Sequence, residues 1–143
     1  MADNNQIAAQ DAYGHFPPST GTALTAGAVS TTAVGTIAPT TAAGASPTVT
    51  FGTGQTATDI AGTFTLNPVT GGGAQAAGAV AVVTFANGLP ALPKAILVTI
   101  YDQANAAAIA AAATSISCAG FSVSVGVALT TAHNYTITYE VVS

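Results

Sequence analysis

Thr58-Asp59-Ile60-Ala61-Gly62-Thr63-Phe64-Thr65-Leu66-Asn67-Pro68 opens the part of the chain where strand patterning becomes regular. From Gly62 to Leu66, Phe64 and Leu66 fall on one side of an extended chain and Thr63 and Thr65 on the other. That is the period-two signature of a strand with one face in a core. Asn67-Pro68 ends it, because proline has no N–H for a ladder and restricts the residue before it. The far end of the pattern is Tyr135–Val142, where Tyr135, Ile137, Tyr139 and Val141 alternate with Thr136, Thr138, Glu140 and Val142.

Between these two stretches the signals come at short, even spacing. Gly71-Gly72-Gly73 marks a flexible loop. Gly78–Phe85 sets Val80, Val82 and Thr84 against Ala81, Val83 and Phe85, and Asn87-Gly88 is a turn signal. Pro90 and Pro93 bracket a tight connection into Lys94–Tyr101. Its run Ala-Ile-Leu-Val-Thr-Ile is the most apolar in the chain and reads as a central strand buried on both faces. Asp102–Ala113 is rich in alanine but has no large apolar residue except Ile109, so it reads as a loop with one helical turn capped by Asp102. Thr114–Cys118 is a short strand, Ala119-Gly120 a turn, and Phe121–Val127 a half-buried strand alternating Phe and Val with Ser and Gly. Six short strands separated by turn signals predict an all-β fold, an antiparallel β-sandwich.

The residues before this region lack a core pattern, which divides the chain into an extended N-terminal arm, 1–56, and a β-sandwich domain, 57–143. Residues 21–50 are low in complexity, and their threonines, glycines and prolines oppose a helix. Thr48–Phe51 is a short strand candidate, and Gly52-Thr53-Gly54-Gln55 a turn or hinge. Asp3 is placed to cap a short helix that Pro17-Pro18 would stop. The large side chains Tyr13, His15 and Phe16, followed by Leu24, Val29, Val34 and Ile37, are the candidate partner-anchoring residues. In a segment with no core of its own, such groups bury their area against something else.

Composition narrows the function classes. Charged residues are 4% of the chain, against about 25% in ordinary soluble domains. So neutral a surface favours association with partners. One Lys and no Arg argue against nucleic acid, whose affinity comes mainly from phosphate neutralisation. No run approaches the roughly 20 apolar residues of a membrane helix, and Met1–Gln6 carries neither the basic nor the apolar part of a secretory signal. Cys118 is the single cysteine and reads as a buried, inert thiol. His15 and His133 show no metal-ligand spacing with the carboxylates, so no metal or other cofactor is expected. His133 reads as a solvated loop residue, and Asp59 as a group that caps a turn through its own backbone. Asp102 and Glu140 have no partner that would divide acid and base roles between two carboxylates. No catalytic residues are assigned, and the chain reads as non-enzymatic.

Residues 57–143 resemble a small β-sandwich domain, similar in fold to H-type lectins, of tailed-bacteriophage surface proteins. The resemblance is carried by Thr58-Asp59-Ile60-Ala61-Gly62-Thr63, Gly78–Phe85, Pro93-Lys-Ala-Ile-Leu-Val98, the alanine-rich Ala104–Ala113, Gly120-Phe121-Ser-Val, and Asn134-Tyr-Thr-Ile-Thr-Tyr139, in that order. It implies a structural virion protein on the virion surface, assembled as a homo-oligomer, a trimer in most such domains. Its partners would be the major capsid protein or other virion proteins. The first expectation is a protein decorating or cementing the capsid, with the N-terminal arm as the attachment element. The alternative is a tail-fibre or tail-tip module that recognises a host surface glycan.

Overall fold

The computed structural model describes residues 35–68 and 75–142. Nine strands are present among them: β1 (Thr36–Pro39), β2 (Thr48–Thr50), β3 (Ala61–Asn67), β4 (Gly78–Thr84), β5 (Ala95–Asp102), β6 (Ala107–Ile109), β7 (Ala111–Ser117), β8 (Gly120–Val125) and β9 (Tyr135–Val142). They form two antiparallel sheets, a four-stranded one in the order β1-β4-β8-β7 and a five-stranded one in the order β2-β3-β9-β5-β6. The domain is all-β and sandwich-like, as the patterning predicts.

One core lies between the sheets. Phe64, Leu66, Ile96, Ile100, Tyr135, Ile137 and Tyr139 enter it from the five-stranded sheet, and Val80, Ala81, Val83, Phe121, Val123 and Val125 from the other. Phe121 meets Tyr139 edge-on, with ring centroids 5.2 Å apart, and Phe85 lies 6.0 Å from Phe121. Such pairing adds to the area that each ring removes from water. In β4 a shift of register between Ala79 and Ala81 turns both Val80 and Ala81 inward, where strict alternation predicts only one of them. The β7–β8 turn closes on Gly120, at φ 153°. A Cβ there would sit 2.1 Å from the Val83 carbonyl oxygen, so only glycine lets the two backbones approach.

Four sequence expectations change. First, the sheets take in residues assigned to the arm. β1 pairs with β4, and β2 pairs with β3. The β-branched Ile37 and Val49 pack part-buried against the core. Between the two strands, Thr40 donates its N–H to the Val80 carbonyl and its hydroxyl to that of Ala79, and Ala43 is fully buried. An edge strand as short as β1 carries little pattern and reads as featureless, whereas β2 falls within the strand candidate Thr48–Phe51. Second, the alanine-rich stretch is not a helical loop. After a turn at Gln103–Ala106 it supplies β6 and the start of β7, with Ile100 opposite Ile109 and Ala113 opposite Val123. Pairing with two existing strands overrides alanine's helix propensity.

Third, β5 is not buried on both faces. Ile96 and Ile100 are buried, but Leu97 and Tyr101 point outward, 57% and 46% exposed, because among the described residues the other sheet covers only one side of this one. Fourth, Cys118 is exposed in the β7–β8 turn rather than buried. The β8 alternation also stops at Val125, leaving Val127 outside the sheet and exposed.

The Phe121–Tyr139 contact gives the fold its clearest test. Phe121→Ala removes a ring that is 2% exposed. It is expected to cost about 3–5 kcal/mol, read as a lowered midpoint in urea unfolding with an unchanged slope.

Candidate functional site

The registers of the five-stranded sheet place its outward side chains in rows. One row runs Thr50, Thr65, Thr136, Tyr101; the next Thr63, Thr138, Thr99; the third Ala61, Glu140, Leu97. Val142 stands beside Ala95 at the end of the face. The hydroxyls are largely used sideways. Thr63 and Thr138 share a hydrogen bond of 3.2 Å, and Gln103 Nε2 donates to Thr136 Oγ1 at 2.8 Å. Asn67 Nδ2 donates to Thr50 Oγ1 at 3.1 Å. Gln55 covers Thr65, donating to its hydroxyl at 2.9 Å. Cross-strand pairs of this kind stabilise the sheet. They also leave threonine methyl groups and the exposed side chains Leu97, Tyr101 and Val142 as the face offered to solvent.

That face is close to neutral. Of the charged side chains among the described residues, Asp59 and Asp102 are buried, which leaves Lys94 and Glu140 exposed. Both lie at the end of the sheet where β5 begins and β9 finishes.

The two buried carboxylates hold loops. Asp102 closes the β5–β6 turn: Oδ1 accepts from the N–H groups of Ala104 and Asn105, at 2.9 and 3.3 Å. Its Oδ2 accepts from Asn105 Nδ2 at 3.0 Å and lies 2.9 Å from His133 Nδ1. A carboxylate only accepts, so Nδ1 carries the proton. The Gln103 N–H donates to the Asn134 carbonyl at 2.9 Å, so the β5–β6 turn and the loop between β8 and β9 are joined twice. Burial by itself would raise the Asp102 pKa. The hydrogen bond from His133, the two backbone N–H groups and the charge of the imidazole outweigh it and hold the carboxyl below its usual value. His133 is therefore a tied residue and not the solvated one that its loop setting predicts. This Asp–His pair has the orientation of a base and its orienting carboxylate. Among the described residues, however, no hydroxyl or thiol is hydrogen-bonded to the other ring nitrogen.

At the opposite end of the strands, Asp59 is fully buried and accepts from the N–H groups of Ala86 and Asn87 at 2.7 and 3.3 Å. Both donors lie in the connection between β4 and β5, far from its own turn in sequence. Thr58 holds that turn, its Oγ1 donating to the Ala61 carbonyl at 2.8 Å and accepting from the Ala61 N–H at 3.1 Å. The Tyr139 hydroxyl donates to the Thr58 carbonyl, and burial, then the Asp59 charge, push its pKa well up.

Of the anchoring residues expected from sequence, Tyr13, His15, Phe16, Leu24, Val29 and Val34 lie outside the described residues, as do Asp3 and the glycines 71–73. Ile37 lies in β1, opposite Val83 and packed against the core. Among the described residues no group of three or more His, Cys, Asp or Glu side chains is arranged to hold a metal ion, and no helix is long and apolar enough to cross a membrane. The outward face of β5 is the feature that sequence reasoning missed. Its signal, alternation of Leu97, Thr99 and Tyr101 with Ile96, Val98 and Ile100, was hidden because both sets are largely apolar. No family model, curated protein or solved structure matches this chain.

The loop carboxylate makes a pH prediction. Asp102 has a folded-state pKa below the ordinary 3.8. Its ionised form therefore stabilises the fold above that value, and the contribution is lost as pH falls through the lowered folded value. Asp102→Ala is expected to lower stability at neutral pH, because it removes the acceptor of the turn N–H groups and of His133. It should also flatten the acid limb of the stability curve below about pH 4, measured by urea midpoints in a pH series.

Proposed function

We propose that this chain is a non-enzymatic structural protein of a tailed-phage virion, decorating or cementing the capsid surface, with residues 1–34 and the segment leading into β1 as the attachment element. The observation that carries the reading is the near-neutral outer face of the five-stranded sheet. Leu97, Tyr101 and Val142 are exposed on it, and most of its threonine hydroxyls are bonded within the sheet, Thr63 to Thr138 and Thr136 to Gln103 among them. A face of that chemistry suits contact with protein, where apolar and aromatic groups supply binding energy and lysine and glutamate are depleted. The sequence resemblance to phage surface domains supplies the setting. The buried carboxylates serve loop geometry, and His133 is tied to one of them, an arrangement that fits an architectural role. Repetition over a capsid lattice would turn a modest contact per copy into firm attachment.

A second reading is favoured by one observation. Tyr101 is 46% exposed, with Gln103 and Thr136 beside it. An aromatic face flanked by amide and hydroxyl groups suits a sugar ring, as a tail-fibre or tail-tip module that recognises a host glycan would need.

Immunogold electron microscopy of virions, with antibody against residues 57–143, separates the two. Label spread over the heads is the expected outcome. Label confined to tail tips or fibres overturns the capsid reading in favour of the glycan one, and unlabelled particles overturn both.

A further inference from the structure

We infer that the outer face of the five-stranded sheet is a self-association surface, through which a second copy of this chain packs face to face about a two-fold axis near Thr99. The inference rests on the reading that this domain works through protein contact, and it names the partner for that face.

Three observations lead to a second copy. The first is the position of the apolar groups. Leu97 and Tyr101 stand four residues apart on β5, with Thr99 between them, and on the neighbouring strand Val142 stands beside Ala95 and Glu140 beside Leu97, so the apolar groups lie along one side of the sheet. The same patch on two copies can meet across a two-fold axis, as an isologous contact requires. The second is charge. The exposed charges among the described residues, Lys94 and Glu140, are of opposite sign and lie at the same end of the sheet. A pair of copies thus brings together no excess of like charge beyond one carboxylate each, offset by one ammonium each. The third is area. β3, β9 and β5, with seven, eight and eight residues, span the face beside the shorter β2 and β6. At roughly 4.8 Å between strands and about 3.4 Å per residue, the face offers on the order of 500 Å². A standard interface takes about 800 Å² per partner, so the face lies at the small end of specific contacts. It is sized for a weak, concentration-dependent pair, not for an obligate dimer. Threonine methyls and flat β-carbons allow two sheets to approach closely, as stacked sheets do at about 10 Å. The pair differs from the three-fold assembly that the sequence resemblance implies, which would need two different patches on each copy.

Sedimentation velocity of the full chain over a concentration series tests this, with two variants whose folding is checked by circular dichroism. Leu97→Lys puts a charge in the patch, and Val127→Lys puts the same charge on an exposed site outside the sheet. The expected result is a monomer–dimer equilibrium with a dissociation constant on the order of micromolar to tens of micromolar. Leu97→Lys should weaken it by at least about tenfold, and Val127→Lys should leave it unchanged. A second measurement does not depend on the lysine variants. In a Cys118→Ser background, Thr99→Cys should give an oxidised dimer, because disulfides form only where the two β-carbons come close. Ser124→Cys on the other sheet should not. A monomer at every concentration, a trimer insensitive to Leu97→Lys, or equal cross-linking of Thr99→Cys and Ser124→Cys overturns the inference. If particles carry gold on the heads while the chain sediments as a monomer, the pairing fails and the capsid reading stands. If the pair forms and particles carry no gold, the capsid reading fails and the pairing stands.

Discussion

The edge-on contact between Phe121 and Tyr139 holds the rest of the structure in place. It joins the centres of two sheets that share no hydrogen bonds, and each ring sits in a strand whose register is fixed on both sides. Because side chains in a strand alternate, placing Phe121 and Tyr139 inward also places Val123, Val125, Tyr135 and Ile137 inward. A slip of one residue would turn every one of them to solvent. The same constraint turns Thr136, Thr138 and Glu140 outward. The core and the outer face are therefore two consequences of one alternation.

The ends of the sandwich depend on a different device. Two carboxylates are buried, and each collects backbone N–H groups: Asp59 from Ala86 and Asn87, Asp102 from Ala104 and Asn105. Burying a charge is costly unless it is hydrogen-bonded in this way. The cost is met because each carboxylate replaces a set of turn contacts that small residues such as Ala and Gly cannot supply. A chain so poor in charge places half of the charged groups described here in its loop junctions. That leaves Lys94 and Glu140 as the exposed charged side chains among the described residues.

Much of the domain was legible from side-chain order. β3, β8 and β9 alternate large apolar residues with Thr and Ser, so their inward faces follow directly from the sequence. β1 and β6 were not legible: they have four and three residues, and a run that short has no period to read. β2 falls within the strand candidate Thr48–Phe51, but its place beside β3 was not legible. Asp59 and His133 were placed in loops correctly, but their partners are 27 and 31 residues away, and no local pattern encodes a contact at that separation. The apolar run of β5 was read as doubly buried because both of its faces are apolar, and only the tertiary structure shows that Leu97 and Tyr101 are exposed.

By itself, the sequence determined the all-β class, the inward faces of β3, β8 and β9, the turn that leads into Gly120, and the poverty of charge. These are local or compositional, set by the two-residue period of an extended chain and by the backbone freedom of glycine. The tertiary structure decided which strands are neighbours, that the alanine-rich segment pairs instead of coiling, which carboxylates are buried, and that Leu97 and Tyr101 face outward. Each of these depends on contacts between residues far apart in the chain, whose energy exists only once both sheets have formed.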